Sequence, residues 1–375
     1  MAEALEAEAL LRDRRAVRAL IADLAAEVGD DSFRIMHVCG SHEHTVTRFG
    51  LRALLPRSLE LIAGPGCPVC VCGTSDIREA IDIAKSGAVL ATFGDMMRDR
   101  TPYGSLQDAK QEGADVRVVY SPLDAVKLAA ELPDRDVVFF GVGFETTAAP
   151  VASLFARELP KNFSLLASFK LTSPAVAALL DAGGRRLDGL VCPGHVSTIV
   201  GARDWARFPA DYHMPAVVSG FEPTDVLLAT RNIVRQVRAK EAKLGNEYTR
   251  LVRTEGNLEA QRMMRAAFEV RPAFWRGVGF VPGSGMFLRG EWEGHDARER
   301  FGVHHEPQGL DLPKGCQCHR VVVGDIYPPQ CPLFGTKCTP QDPYGPCMVS
   351  GEGTCYIWQR FGDPRVLRDF QERAS

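Results

Sequence analysis

The chain has 375 residues, 45% of them hydrophobic and 24% charged, with 44 basic side chains against 47 acidic ones and a formal charge of −3. This is an ordinary globular composition, with length for two or three domains and enough apolar surface for a sizeable core. Without a basic stripe, nucleic acid and anionic membrane surfaces are poor partners.

The opening residues, 1–30, are rich in Ala, Leu, Glu and Arg at helical spacing and predict an N-terminal helix. They lack the pattern of a secretory signal, and no window reaches ~18 uninterrupted apolar residues, so no membrane span and a cytoplasmic location are expected. Short β-branched runs then alternate with helical stretches. Strands are predicted at Arg34–Val38, Leu59–Ala63, Ala88–Thr92 and Val116–Tyr120, then at Asp136–Phe140, Ser164–Phe169, Gly189–Cys192 and Ala216–Ser219. Helices are predicted at Ser75–Lys85, Leu123–Leu132, Thr146–Glu158, Pro174–Leu180 and Pro223–Lys243. The alternation predicts an α/β fold with parallel sheets and crossover helices. Four strands per series suggest two related lobes, 31–125 and 126–240. Beyond them, 241–375 is a loop-rich C-terminal region whose density of proline, glycine and cysteine calls for a cross-link or metal as organiser.

Eleven cysteines are many for such a chain. In a reducing compartment they serve as ligands, catalytic thiols or fillers more often than as bridges. Cys39, Cys67, Cys70 and Cys72 lie early, Cys192 stands alone, and Cys316, Cys318, Cys331, Cys338, Cys347 and Cys355 crowd the end. Two clusters suggest two sites.

Cys39 begins Cys39-Gly40-Ser41-His42-Glu43-His44 at the end of a predicted strand, where open α/β sheets place ligands. A following helix would favour the thiolate there, and His42 and His44 add donors. Gly64-Pro65-Gly66-Cys67-Pro68-Val69-Cys70 follows the next strand, and its Cys-x-x-Cys suits a redox dithiol or two metal-ligating thiolates. Cys72 is a spare or a filler. Gly141-Val142-Gly143-Phe144-Glu145-Thr146-Thr147 lacks the third glycine of a dinucleotide turn, and no Walker sequence occurs, so nucleotide binding is unsupported. Glu145 and the threonines instead suit a cleft shared with Pro193-Gly194-His195-Val196-Ser197. A lone histidine is more often structural, but the strand-end setting of His195 makes a functional role as good a reading.

The C-terminal cysteines are the strongest signal. Cys316, Cys331, Cys338 and Cys355 are widely spaced, with Cys318 and Cys347 as alternates. Soft thiolates in a proline-rich segment point to an iron–sulfur cluster or to zinc. Structural zinc favours short Cys-x₂₋₄-Cys knuckles, so the wide spacing leans toward a cubane held from several loops.

These motifs, together with Ser219-Gly-Phe-Glu222-Pro-Thr-Asp225 and the tail Cys331-Pro-Leu-Phe-Gly-Thr-Lys-Cys338-Thr-Pro, Gly345-Pro-Cys347-Met-Val-Ser and Glu352-Gly-Thr-Cys355, resemble the HypD family of hydrogenase maturation factors. The resemblance spans all but about the first 30 residues. It implies two related α/β domains, a [4Fe–4S] cluster, and a part in building the Fe(CN)₂CO unit of [NiFe] hydrogenases. A HypC-type chaperone would be the partner holding iron, and a HypE-type protein the transient cyanide donor. Carried onto this sequence, Cys39, Cys67 and Cys70 match the iron-handling or redox thiols, and Cys316, Cys331, Cys338 and Cys355 the cluster ligands. His42, Glu145 and His195 would supply proton transfer or hydrogen bonds. The reading is an assembly scaffold with redox activity. The rivals are a stand-alone thiol–disulfide oxidoreductase using Cys67 and Cys70, and a cluster-containing hydro-lyase or reductase.

Overall fold

The computed structural model of the chain describes residues 13–183 and 186–372. Of the predicted leading helix, residues 1–12 lie outside the described residues. The rest forms α1 (Arg14–Val28), started by Asp13, whose side chain accepts the Arg15 backbone N–H at 2.7 Å.

The eight predicted strands are present as β1 (Phe33–His37), β2 (Leu59–Ala63), β3 (Val89–Thr92), β4 (Val116–Val118), β5 (Val137–Gly143), β6 (Phe163–Lys170), β7 (Gly189–Pro193) and β8 (Ala216–Ser219). Of the helices between them, α2 (Gly40–Arg48), α3 (Thr74–Lys85), α4 (Glu145–Leu154), α5 (Gly194–Val200) and α6 (Pro223–Arg238) matter most for the site. The α/β class stands.

The strands form two sheets, ordered β2-β1-β7-β8-β9 and β10-β11-β6-β5-β3-β4, where β9 is Leu244–Asn246, β10 Phe268–Trp275 and β11 Gly279–Leu288. The first sheet is wholly parallel. The second is parallel from β6 to β4, with the β10–β11 hairpin added antiparallel to β6.

This order departs from the predicted lobes. Residues 31–125 give β1 and β2 to one sheet and β3 and β4 to the other, and 126–240 divide likewise. Local alternation marks a strand but not its neighbours, which tertiary packing selects. The hairpin was missed because Pro272, Pro282, Gly283 and Gly285 interrupt its alternation, and β10 carries a bulge between Arg271 and Ala273.

Each sheet is covered on both faces, as parallel sheets require. In β5, Val137 and Phe139 join an outer core with Phe163, Leu165 and Phe268, while Val138, Phe140 and Val142 face a central core between the sheets. The first sheet does the same, with Ile35, Val191 and Val217 packed against Leu24 and Val28 of α1 and Ile233 of α6. The C-terminal region closes the central core, its helix α7 (Thr354–Phe361) lying along α2.

Candidate functional site

β1 pairs with β7 and β3 with β5, so the loops leaving these strands come out side by side. They line one cavity of about 250 Å³. Cys39 follows β1, Phe93, Gly94 and Asp95 follow β3, Phe144, Thr146 and Thr147 follow β5, and His195 follows β7. Gly66, Pro68 and Val69 come from the loop after β2, and Ser350 and Glu352 from the C-terminal region. The carboxyl ends of parallel strands are where α/β folds bind ligands.

Cys39 caps α2 with an extended backbone. The N–H groups of Ser41 and His42 act on its sulfur to favour the thiolate, as the sequence suggested. Burial and the nearby Glu352 carboxylate outweigh them, and the thiol is pushed up to about 11. It is therefore held as a thiol at neutral pH, contrary to the thiolate expectation. His195 also lines the cavity, its ring 3.9 Å from that of Phe221, and burial moves its pKa down, favouring the neutral imidazole.

The loop after β2 is pressed onto Cys39. The Gly40 N–H donates to Gly66 O at 3.2 Å, and a Cβ at Gly66 would fall 2.5 Å from both Cys39 Cα and Cys39 N. Only glycine fits that approach. Cys67 and Cys70 are joined as a disulfide on the short helix Pro68–Val71, both buried, while their neighbours Pro68 and Val69 reach the cavity. Cys72 is buried separately against Ser168 Oγ at 3.5 Å.

Like Cys67 and Cys70, His42 and Glu145 lie outside the cavity wall. His42 is wholly buried, its Nε2 donating to Gly220 O at 2.9 Å and its ring stacked 4.8 Å from Phe221, and burial holds its pKa down to about 3. Glu145 accepts from the Thr172 N–H and Oγ1, each at 2.8 Å, and burial raises its carboxyl to about 7. Both therefore brace the loops around the cavity.

The six C-terminal cysteines meet in one place. The sulfurs of Cys318, Cys347 and Cys355 lie within 4.8 Å of one another and are buried. A Cβ at Gly345 would fall 2.5 Å from Cys316 Sγ and 3.0 Å from Cys318 Sγ, so those two thiols share a wall. Cys338 Sγ accepts the Gly345 N–H at 3.5 Å, and backbone N–H groups of Leu333 and Gln317 act on Cys331. Soft sulfur donors, N–H···S contacts and a shell of Val321, Val322, Phe334 and Met348 fit a thiolate-held iron–sulfur cluster. Cys355 belongs both to the tight trio and to the four residues chosen from spacing. Cys318 and Cys347, set aside as alternates, complete that trio.

The HypD family model, described as "Hydrogenase formation hypA family", matches residues 15–362. The chain belongs to the HypD family. It is 43% identical over 366 residues to the hydrogenase maturation factor HypD of Azotobacter vinelandii, covering 94% of this chain and 96% of that one. It is 41% identical over 365 residues to the Rhodobacter capsulatus HypD, covering 96% and 97%, and 42% identical over 334 residues to that of Escherichia coli K12, covering 88% and 89%. This HypD-family chain is thus a hydrogenase maturation factor. Among its described residues no helix is long and apolar enough to cross a membrane.

Sequence reasoning missed three polar residues of the HypD-family cavity. Asp95 follows β3 as Cys39 follows β1, so the strand-end rule would have found it. Ser350 and Glu352 belong to motifs that carry the family resemblance but gain a role there only through their cysteines, and no local signal ties them to a distant sheet edge.

Proposed function

We propose that this chain is the scaffold on which the Fe(CN)₂CO unit of a [NiFe] hydrogenase is assembled, together with a HypC-type chaperone. The observation that carries the reading is the convergence of Cys39 and His195 from adjacent strands onto one cavity between the sheets. Cys39 takes the iron as cargo, and its raised pKa means that binding releases a proton. The neutral imidazole of His195 accepts that proton or hydrogen-bonds a ligand of the iron. Thr146 and Thr147 offer hydroxyl donors of the kind that suit cyanide nitrogens. A HypE-type protein would bring the cyanide.

The Cys67–Cys70 disulfide lies in the loop packed on Cys39. Its reduction takes two electrons and two protons and frees two thiols beside the cargo, so the state of the pair can gate binding or release. Cys316, Cys331, Cys338 and Cys355 would hold a [4Fe–4S] cluster, which supplies or takes up single electrons when bound. Backbone N–H groups act on the first three, and Cys355 sits at the start of α7. The stand-alone oxidoreductase reading is disfavoured by burial, since a catalyst for protein substrates needs an exposed reactive sulfur.

The test is an infrared spectrum of the protein purified anaerobically with its HypC-type partner. Cyanide and carbonyl stretching bands are expected in the wild type and their loss in Cys39→Ala, with the visible chromophore unchanged. Bands that persist in Cys39→Ala would overturn the reading.

A further inference from the structure

Cys347 and Cys355 both belong to the buried cysteine trio, and the segment between them does not stay with it. Its middle crosses to the Cys39 cavity, where Ser350 and Glu352 form part of the wall. The crossing is tightly fixed. Ser350 is buried and its Oγ donates to Asp95 Oδ2 at 2.6 Å, reaching the loop after β3 in the second sheet. The Glu352 N–H donates to Ser350 Oγ at 3.2 Å, and the Gly353 N–H to Ser350 O at 2.9 Å. Glu352 rests on Gly40, where a Cβ would fall 2.4 Å from its carbonyl oxygen. Arg98 reaches over the same segment to Val349 O at 3.4 Å. At its two ends the strap is tied to sulfur, and in the middle it touches both sheets at the cavity.

We propose that the strap 347–355 is the fourth side of the cargo site and that Ser350 is its positioning residue. Ser350 holds the cavity-lining carboxylate of Asp95 and thereby fixes how a metal unit bound at Cys39 sits. The inference rests on the reading of Cys39 as the cargo thiol and extends it to residues that neither the motifs nor the comparisons assign. Cys355, at one end of the strap, is among the proposed cluster ligands, and Cys347, at the other, lies in the same sulfur trio, so a cluster held there fixes the strap at the wall of the cargo site.

The test compares wild type, Ser350→Ala, Ser350→Thr and Asp95→Ala, each purified anaerobically with the HypC-type partner. Three readouts are taken: visible absorbance of the C-terminal chromophore, iron retained at the Cys39 site against a chelator, and the infrared band positions. Ser350→Ala is expected to retain iron about tenfold less well, in line with loss of a partner that orients a metal-site residue, and to show shifted or broadened bands. Ser350→Thr, which keeps the hydroxyl, is expected to restore both. Wild-type bands and iron retention in Ser350→Ala would overturn the proposal. Should Ser350→Ala lose the chromophore, Asp95→Ala decides: Asp95 is exposed and outside the strap, so an unchanged infrared spectrum there overturns the proposal. Wild type without bands at all would instead sink the assignment of Cys39, and this inference with it.

Discussion

The guanidinium of Arg52 lies 4.9 Å from the centre of the Trp358 ring while gripping Glu43 with both Nη atoms, at 2.7 and 2.8 Å. One side chain thus joins α2, which begins at Cys39, to α7, which carries Cys355. Glu43 is fully buried, and burial alone would raise its carboxyl, but Arg52 and His37 hold it down to about 2. Arg52→Ala leaves that carboxylate without its cation, so a loss of about 3–5 kcal/mol is expected, measured as the shift in urea midpoint. Arg52→Lys keeps the charge but not the fork and is expected to fall between.

His42 makes the protein acid-sensitive. Burial holds its folded pKa at about 3 against an ordinary value of 6.5, so the unfolded chain binds the extra proton between those limits. Stability is therefore full above pH 6.5 and declines as the pH falls toward 3. Between pH 6.5 and 5 this one group accounts for about 2 kcal/mol. Denaturant unfolding of wild type and His42→Gln across that range checks it, and the variant is expected to show the shallower slope.

With its thiol pushed up to about 11, Cys39 is expected to alkylate slowly at pH 7 in the iron-free protein. The rate is expected to climb about tenfold per pH unit until the thiol ionises. Mass spectrometry of the Cys39 peptide follows this directly. Fast, pH-independent labelling at neutral pH would show that the helix N-terminus outweighs burial after all.

Removing Cys331 or Cys338 is expected to abolish the visible chromophore of anaerobic protein while leaving the parallel sheets folded. Circular dichroism and iron content, read together, separate that outcome from general unfolding. The loosened tail is expected to be cut faster by protease around 347–355. Zinc without iron in the anaerobic wild type would contradict the cluster.

Gly66→Ala tests the approach of the second loop to the first. Its methyl group would meet Cys39 backbone atoms at 2.5 Å, and backbone cannot swing aside as a side chain can. A loss of about 1–3 kcal/mol is expected from overpacking, measured by thermal unfolding. Gly87→Ala, where nothing lies within 4 Å but φ is +101°, separates crowding from backbone strain.

Strands β1 to β8 were legible because each is a short apolar run bounded by turn residues, as at Leu59–Ala63, which falls at the predicted limits, whereas β9, only Leu244–Asn246, was not. The strand-end position of Cys39 and His195 was legible for the same reason. Which strands share a sheet was not, because Ile35 meets Gly189 through long-range packing that leaves no local trace. The histidines show the limit most clearly. His42 and His195 have equally suggestive motifs, yet one ring is spent on Gly220 O and the other faces the cavity. Phe221 packs against both rings, so only the three-dimensional position of each tells them apart.

The interleaving of the sheets also bears on how the chain reaches its fold. β1 is made early, but one of its two neighbours is β7, and the Arg34 N–H donates to an Asp188 carboxylate 154 residues further on. The first sheet cannot close until the strands that build most of the second have been synthesised. Loop-closure entropy for so distant a pairing must be met before its contacts return anything, which slows folding and prolongs exposure of the β1 edge. A ribosome-bound fragment ending before β7 therefore holds a bare two-stranded edge with Cys39 and Cys67 at its tip. Chaperone cover and reducing conditions during synthesis would matter more for this protein than for one whose lobes fold in turn.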